Sequence, residues 1–200
     1  MEEVTNGRRR GLRFFSRSEP VRGPEGLVEM RPSTWDEPAV DALPEFFAGG
    51  GSAQATLFVD PEGTEDHCLS LIWLHLASNY QLPRHAHTRD CLYYVAAGEV
   101  RLGNRTVRAG EGFFAPSEAP YSYVAGPEGA EVLEFRGTGR SIDSRIHETP
   151  SGWKRILTGV QAHAEGWVTE MAPYKPWTRS APSIDYFTPE GTRRTLTIEG

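Results

Sequence analysis

Between residues 53 and 137 the chain is cut into short strand-like runs, recurring roughly every eight to twelve residues. They read ATLFVD (55–60), CLSLIWLHLA (68–77), CLYYVAAG (91–98), EVRLG (99–103), RTVRA (105–109), GFFAP (112–116), YSYVA (121–125) and EVLEFR (131–136). Pro-Glu-Gly, Leu-Pro, Gly-Asn and Gly-Pro steps separate them. The 21 glycines and 15 prolines of the 200 residues serve this punctuation. Short punctuated strands indicate an antiparallel sandwich or barrel. Gly103-Asn104 is a tight hairpin signal. In CLSLIWLHLA both alternating faces are apolar, so that strand is expected to be covered on both sides, by the N-terminal segment or by a second subunit.

The flanks have another texture. Residues 1–30 read as an irregular arm. Its Arg8-Arg9-Arg10 cluster, with Arg13 and Arg17, is expected to be a solvated tail rather than a polyanion-binding element, and Leu12, Phe14 and Phe15 are candidates for docking. Residues 31–52 hold STWDEPAVDALPEFFA (33–48), expected to make one or two helical turns because Pro44 should prevent one continuous helix. Residues 138–200 form a C-terminal extension, part helix and part strand. SGWKRILTGVQAHA (151–164) has helical spacing with Ser151 as a cap candidate, and GWVTEM and RTLTIEG look strand-like. The net charge of −6 does not suggest a nucleic-acid partner. No apolar run reaches the ~18 residues of a membrane span. A cytoplasmic location is expected, with Cys68 and Cys91 as thiols.

His85 and His87 stand at i and i+2, which puts both imidazoles on one face of a strand. Neutral imidazole is a ligand for Zn, Fe, Ni, Mn and Cu, and two from one strand occupy adjacent coordination positions. Asn79 precedes His85 by five intervening residues. Three residues follow His87 before Cys91, and six more before Gly98. Further on come Gly110, Pro116, Glu118, Tyr121 and Ala125. In order and spacing these resemble the two motifs of the cupin superfamily: Gly, five residues, His-x-His, three or four residues, Glu, six residues, Gly; then Gly, five residues, Pro-x-Gly, two residues, His, three residues, Asn. The resemblance covers 79–125. It implies a mainly β fold, an antiparallel double-stranded β-helix of the RmlC-like jelly-roll type over 53–137, with short helical segments on either side.

The resemblance also implies a divalent transition metal, but two ligand positions are altered. His85 and His87 match the family's histidines. Cys91 stands where the family has Glu, and Tyr121 where it has the last His. The expected metal ligands are therefore His85, His87 and Cys91, with Asp90 a minor candidate one residue out of phase. A thiolate would favour Zn or Cu. Tyr121 is the candidate acid/base or orienting group. Trp73, His75, Tyr93, Tyr123 and Glu134 are expected to line the substrate pocket, and His75 or Glu134 could complete the ligand set. His67, His147 and His163 are expected at the surface. Three functions are compatible: a metal-dependent enzyme of dioxygenase, isomerase or lyase type acting on a small apolar or aromatic molecule; a small-molecule-binding or sensing module with weak metal or none; and a metal-free cyclase or dehydratase using His85, His87 and Tyr121. A homodimer is expected from family habit and the doubly apolar strand.

Overall fold

A computed structural model describes residues 11–21, 29–30, 33–35, 37–60, 62–64, 68–137, 141–142, 144–177 and 183–197. The Arg8–Arg10 cluster and His67 lie outside the described residues. In chain order the elements are β1 (Glu29–Met30), β2 (Ser33–Thr34), α1 (Glu37–Ala48), β3 (Ser52–Val59), β4 (Ser70–Leu76), β5 (His85–Ala86) and β6 (Cys91–Leu102). Then follow β7 (Arg105–Arg108), β8 (Gly112–Ala115), β9 (Val124–Arg136), β10 (Ser141–Ile142), β11 (Arg145–Ile146) and α2 (Pro150–Met171). A 3-10 turn (Ala172–Trp177), β12 (Ser183–Phe187) and β13 (Arg193–Thr197) close the described chain.

The main sheet runs β3-β4-β9-β6-β7, with β8 also pairing β6, and every pairing in it is antiparallel. The long strands β6 and β9 form its centre. Their side chains alternate as a sheet with one core face requires: Ala130, Val132, Glu134 and Arg136 are buried, while Glu131, Leu133 and Phe135 between them are half-buried. β6 turns into β7 at Gly103-Asn104, the expected hairpin, with Leu102 opposite Arg105. A smaller antiparallel pair, β5 with β11, sits at the lip that carries His85.

The backbone supports the motif alignment. Gly98 and Gly110, at motif glycine positions, have φ of 67° and 91°. Asn79 and Glu118, which stand at two other motif glycine positions, are the non-glycine residues with positive φ among those described, at 56° and 62°. Asparagine tolerates the left-handed region well. A glutamate there costs about 1–2 kcal/mol.

β4 is covered on both faces, as its sequence requires, and the cover comes from the same chain. Tyr174 of the 3-10 turn stacks on His75 at 3.7 Å between ring centroids, and Arg17 of the N-terminal arm lies 5.1 Å from the Trp73 ring. Phe15 of that arm packs near Phe58, whereas Leu12 and Phe14 are exposed.

The helices differ from expectation in three ways. α1 runs unbroken through Pro44. Proline removes one helical hydrogen bond, but Ala39, Ala42, Leu43 and Phe46 are buried in the core on both sides of it, and packing outweighs the local cost. α2 starts at Pro150, capped by Thr149 rather than Ser151; the Thr149 hydroxyl accepts from the Gly152 N–H at 3.0 Å. It also continues through GWVTEM, which is helix and not strand. Trp153, Ile156, Val160, Trp167 and Met171 are buried at helical spacing, so one apolar stripe runs the full length. The far end of α2 clasps the turn after β4. Glu170 accepts from the Ser78 backbone N–H and hydroxyl, both at 2.7 Å, and Trp167 Nε1 donates to the Ser78 carbonyl at 2.8 Å. Among the described residues no helix is long and apolar enough to cross a membrane.

Candidate functional site

Two rows of side chains cross the inner face of the sheet. Register puts Ser70, Arg136, Cys91 and Ala115 in one row, and Ile72, Glu134, Tyr93 and Phe113 in the next. His85 and His87 meet these rows from the opposite lip. Paired backbone hydrogen bonds of 2.9 Å tie His85 to Tyr121, which brings Tyr121 to the site. The imidazole centroids lie 4.8 Å apart and both residues are buried, consistent with one shared face.

The structure thus gathers His85, His87, Cys91, Tyr93, Tyr121, Tyr123 and Glu134. Tyr93 stacks on Phe113 with centroids 4.6 Å apart, and Tyr121 and Tyr123 flank that pair. Trp73 and His75 go elsewhere. Both are on the outer face of β4, where Trp73 Nε1 donates to Glu131 at 3.3 Å and His75 lies against Tyr174. Asp90 accepts from the Ser117 backbone N–H at 2.8 Å, a loop-fixing role. His147 donates its backbone N–H to Arg84 O at 2.8 Å, and His163 stacks along Trp167.

Arg136 was not among the residues singled out from the sequence, and it is the most deeply buried charge described. Its side chain is fully covered, and its Nε and Nη2 both donate to Oε1 of Glu134. Nη2 also reaches His87 Nε2 at 3.3 Å. Nη1 is buried without a hydrogen-bond partner, and so is Oγ of Ser70, directly across on β4. The available signal was its phase: Arg136 keeps the parity of Val132 and Glu134 on an otherwise apolar strand.

The contact with Arg136 fixes the direction of the hydrogen bonds. Arginine has no acceptor, so His87 Nε2 carries the lone pair. Tyr121, 3.1 Å away, must then donate its O–H to His87. The Tyr121 oxygen in turn accepts from the Tyr93 hydroxyl, with which it is in close contact. The result is a directed chain, Tyr93 to Tyr121 to His87. His85 is oriented independently: Nδ1 donates to the Pro83 carbonyl at 2.9 Å, which leaves Nε2 as its lone-pair nitrogen.

Burial dominates the protonation of the site. It lowers His85 to about 4, with His87 adding to the effect, so His85 is neutral near pH 7. It holds the Tyr93 and Tyr121 hydroxyls well above the ordinary phenol range, with the Glu134 carboxylate reinforcing it. It pushes the Cys91 thiol up to about 12, again with help from Glu134, so Cys91 is a thiol. Burial also pushes the Glu134 carboxyl upward, but the Arg136 guanidinium outweighs it and keeps the group ionised below its ordinary value.

The donor set of a metal centre and a buried guanidinium occupy the same place. His87, Cys91 and Glu134 offer three donor atoms within 4.8 Å of one another, the spacing of a three-ligand site. Glu134 therefore joins His87 and Cys91, while His85 stands beside this group and not in it. Yet Arg136 already takes the His87 lone pair and one Glu134 oxygen. With the guanidinium in this position the donors do not fit an added cation.

No family model matches the chain, and no curated protein matches it. Among solved structures it is similar to an RmlC-like cupin from Shewanella frigidimarina, at 23% identity over 46% of this chain and 79% of that one, with a TM-score of 0.38. It is similar to oxalate decarboxylase from Bacillus subtilis, at 22% identity over 44% and 25%, TM-score 0.39. It is similar to KdgF from a Halomonas species, at 23% identity over 44% and 82%, TM-score 0.36. Each of these similarities is at 22–23% identity and spans less than half of this chain.

Proposed function

We propose that the inner face of the sheet is a small-molecule site that works by proton transfer, in an isomerase or lyase type of reaction. The observation that carries this reading is the directed chain from Tyr93 through Tyr121 to His87. Burial keeps the Tyr121 hydroxyl protonated, and a ligand that draws its O–H away from His87 would meet a proton donor that Tyr93 can refill. His85, neutral and with its Nε2 lone pair turned away from Pro83, is the base of the pair. Arg136 Nη1 and Ser70 Oγ lack partners and suit a ligand oxygen. Tyr93, Phe113 and Tyr123 suit an apolar or aromatic body. The ligand class is then a small carbonyl or carboxylate compound with an apolar portion. Tyr121, Phe113 and the two histidines are less deeply covered than Tyr93, Cys91 and Arg136, so the ligand enters from the histidine lip.

A second reading, a binding or sensing module, draws on the coverage of nearly every polar group in the site. One experiment separates the two. The full chain is screened by native mass spectrometry and thermal shift against small aromatic and aliphatic oxo- and carboxylic acids. Bound compounds are then followed by NMR for solvent-deuterium incorporation. Exchange that Tyr121→Phe slows by about 100-fold or more, with binding retained, supports the enzyme. Binding without exchange supports the module, and no ligand stabilising the wild type sinks both.

A further inference from the structure

The three donors His87 Nε2, Cys91 Sγ and Glu134 form the beginnings of a metal centre, and a side chain of this same chain is bonded to two of them. We infer that the Arg136 guanidinium stands in for a metal ion: a covalently attached cation keeps a latent three-ligand site closed. This rests on the inner face being the working site, and it deepens that reading by naming where the site's positive charge comes from.

Geometry supports it from several sides. Arg136 lies in the same row as Cys91 and one row from Glu134, so β-sheet register alone delivers its side chain among the donors. It is fully covered, as a resident ion would be. It neutralises the Glu134 carboxylate, the charge that a divalent ion would otherwise balance. A guanidinium cannot lose its charge in a protein, so the replacement is permanent. A cation entering the site would have to displace it and would meet its repulsion at the same donors.

The test is a titration of the full-length chain, purified in chelator and exchanged into metal-free buffer, with Co(II) and with Zn(II). Wild type is expected to bind neither ion at this site and to show no thiolate-to-cobalt charge-transfer band. Arg136→Gln keeps a donor for Glu134 without the charge. It should bind one equivalent with a charge-transfer band that Cys91→Ser removes, and the metal should raise its melting temperature. Arg136→Met serves as the second variant if Gln does not fold. A wild-type chain that binds one equivalent with a Cys91-dependent band overturns the inference, and so does a folded Arg136→Gln or Arg136→Met chain that gains no metal. The wild-type titration requires no variant to fold. None of these readouts depends on whether Tyr121 and His85 turn over a substrate, so the two proposals fail separately.

Discussion

Two of the three glutamates on strand β9, Glu131 and Glu134, are each paired with an arginine, on opposite faces of the same sheet. Inside, Glu134 is bonded to Arg136 two residues further along, and both are covered. Outside, Glu131 is bonded at 2.9 Å to Arg17, more than a hundred positions earlier, with half of the Arg17 side chain in solvent. The chemical pair is the same and the physics differs. In the inner pair neither charge can be left alone, because water does not reach it. The outer pair sits where solvent screens it, and its job is to seat the arm over Trp73. A buried pair constrains everything around it, whereas a half-exposed pair only attaches something.

Breaking the inner pair should have the largest effect. Glu134→Gln strands the Arg136 charge and should cost about 3–5 kcal/mol by urea denaturation. A loss below ~1 kcal/mol would show that water reaches the inner face and would erase the contrast. The pH dependence comes next. His85 is lowered in the fold to about 4 from 6.5, so the unfolded chain binds its proton first as pH falls. Stability is full above about 6.5 and declines by about 3 kcal/mol on the way to pH 4. Glu134, whose pKa is depressed, adds a further loss below its ordinary value near 4.5, when its carboxylate protonates. Melting curves across that range should fall steadily, and His85→Gln should flatten the upper part. The smallest effect belongs outside: Arg17→Ala should cost 0–1 kcal/mol, and tryptophan fluorescence should report the loss of cover at Trp73. A larger loss would make the arm a structural member and not an attachment.

The comparison also shows what the sequence could convey. His85, His87, Cys91 and Tyr121 were legible because motif spacing fixes their place relative to the glycine-type turns, and those turns do take left-handed φ. Trp73 and His75 were expected inside because they share a parity on β4. That strand is apolar on both faces, so nothing in its pattern marks which parity faces inward. Register decides it, and register is a property of two strands. Arg136 was missed because an arginine at a strand end reads as a solvated terminus. Its role appears only when Cys91 on the neighbouring strand and His87 on the opposite lip join Glu134 around it. Pro44 and the strand-like GWVTEM show the same limit: local propensity was read correctly and was overruled by the core each helix covers.

The clasp between α2 and the turn after β4 bears on how the site comes into being. Glu170 and Trp167 hold Ser78 across about ninety positions of sequence, and Asn79, next along, starts the segment that leads to His85 and His87. A chain emerging from the ribosome completes every strand of the main sheet well before it delivers residue 171. The clasp that steadies the approach to the histidine lip therefore depends on a helix made later, and the order expected in refolding is sheet first and lip last.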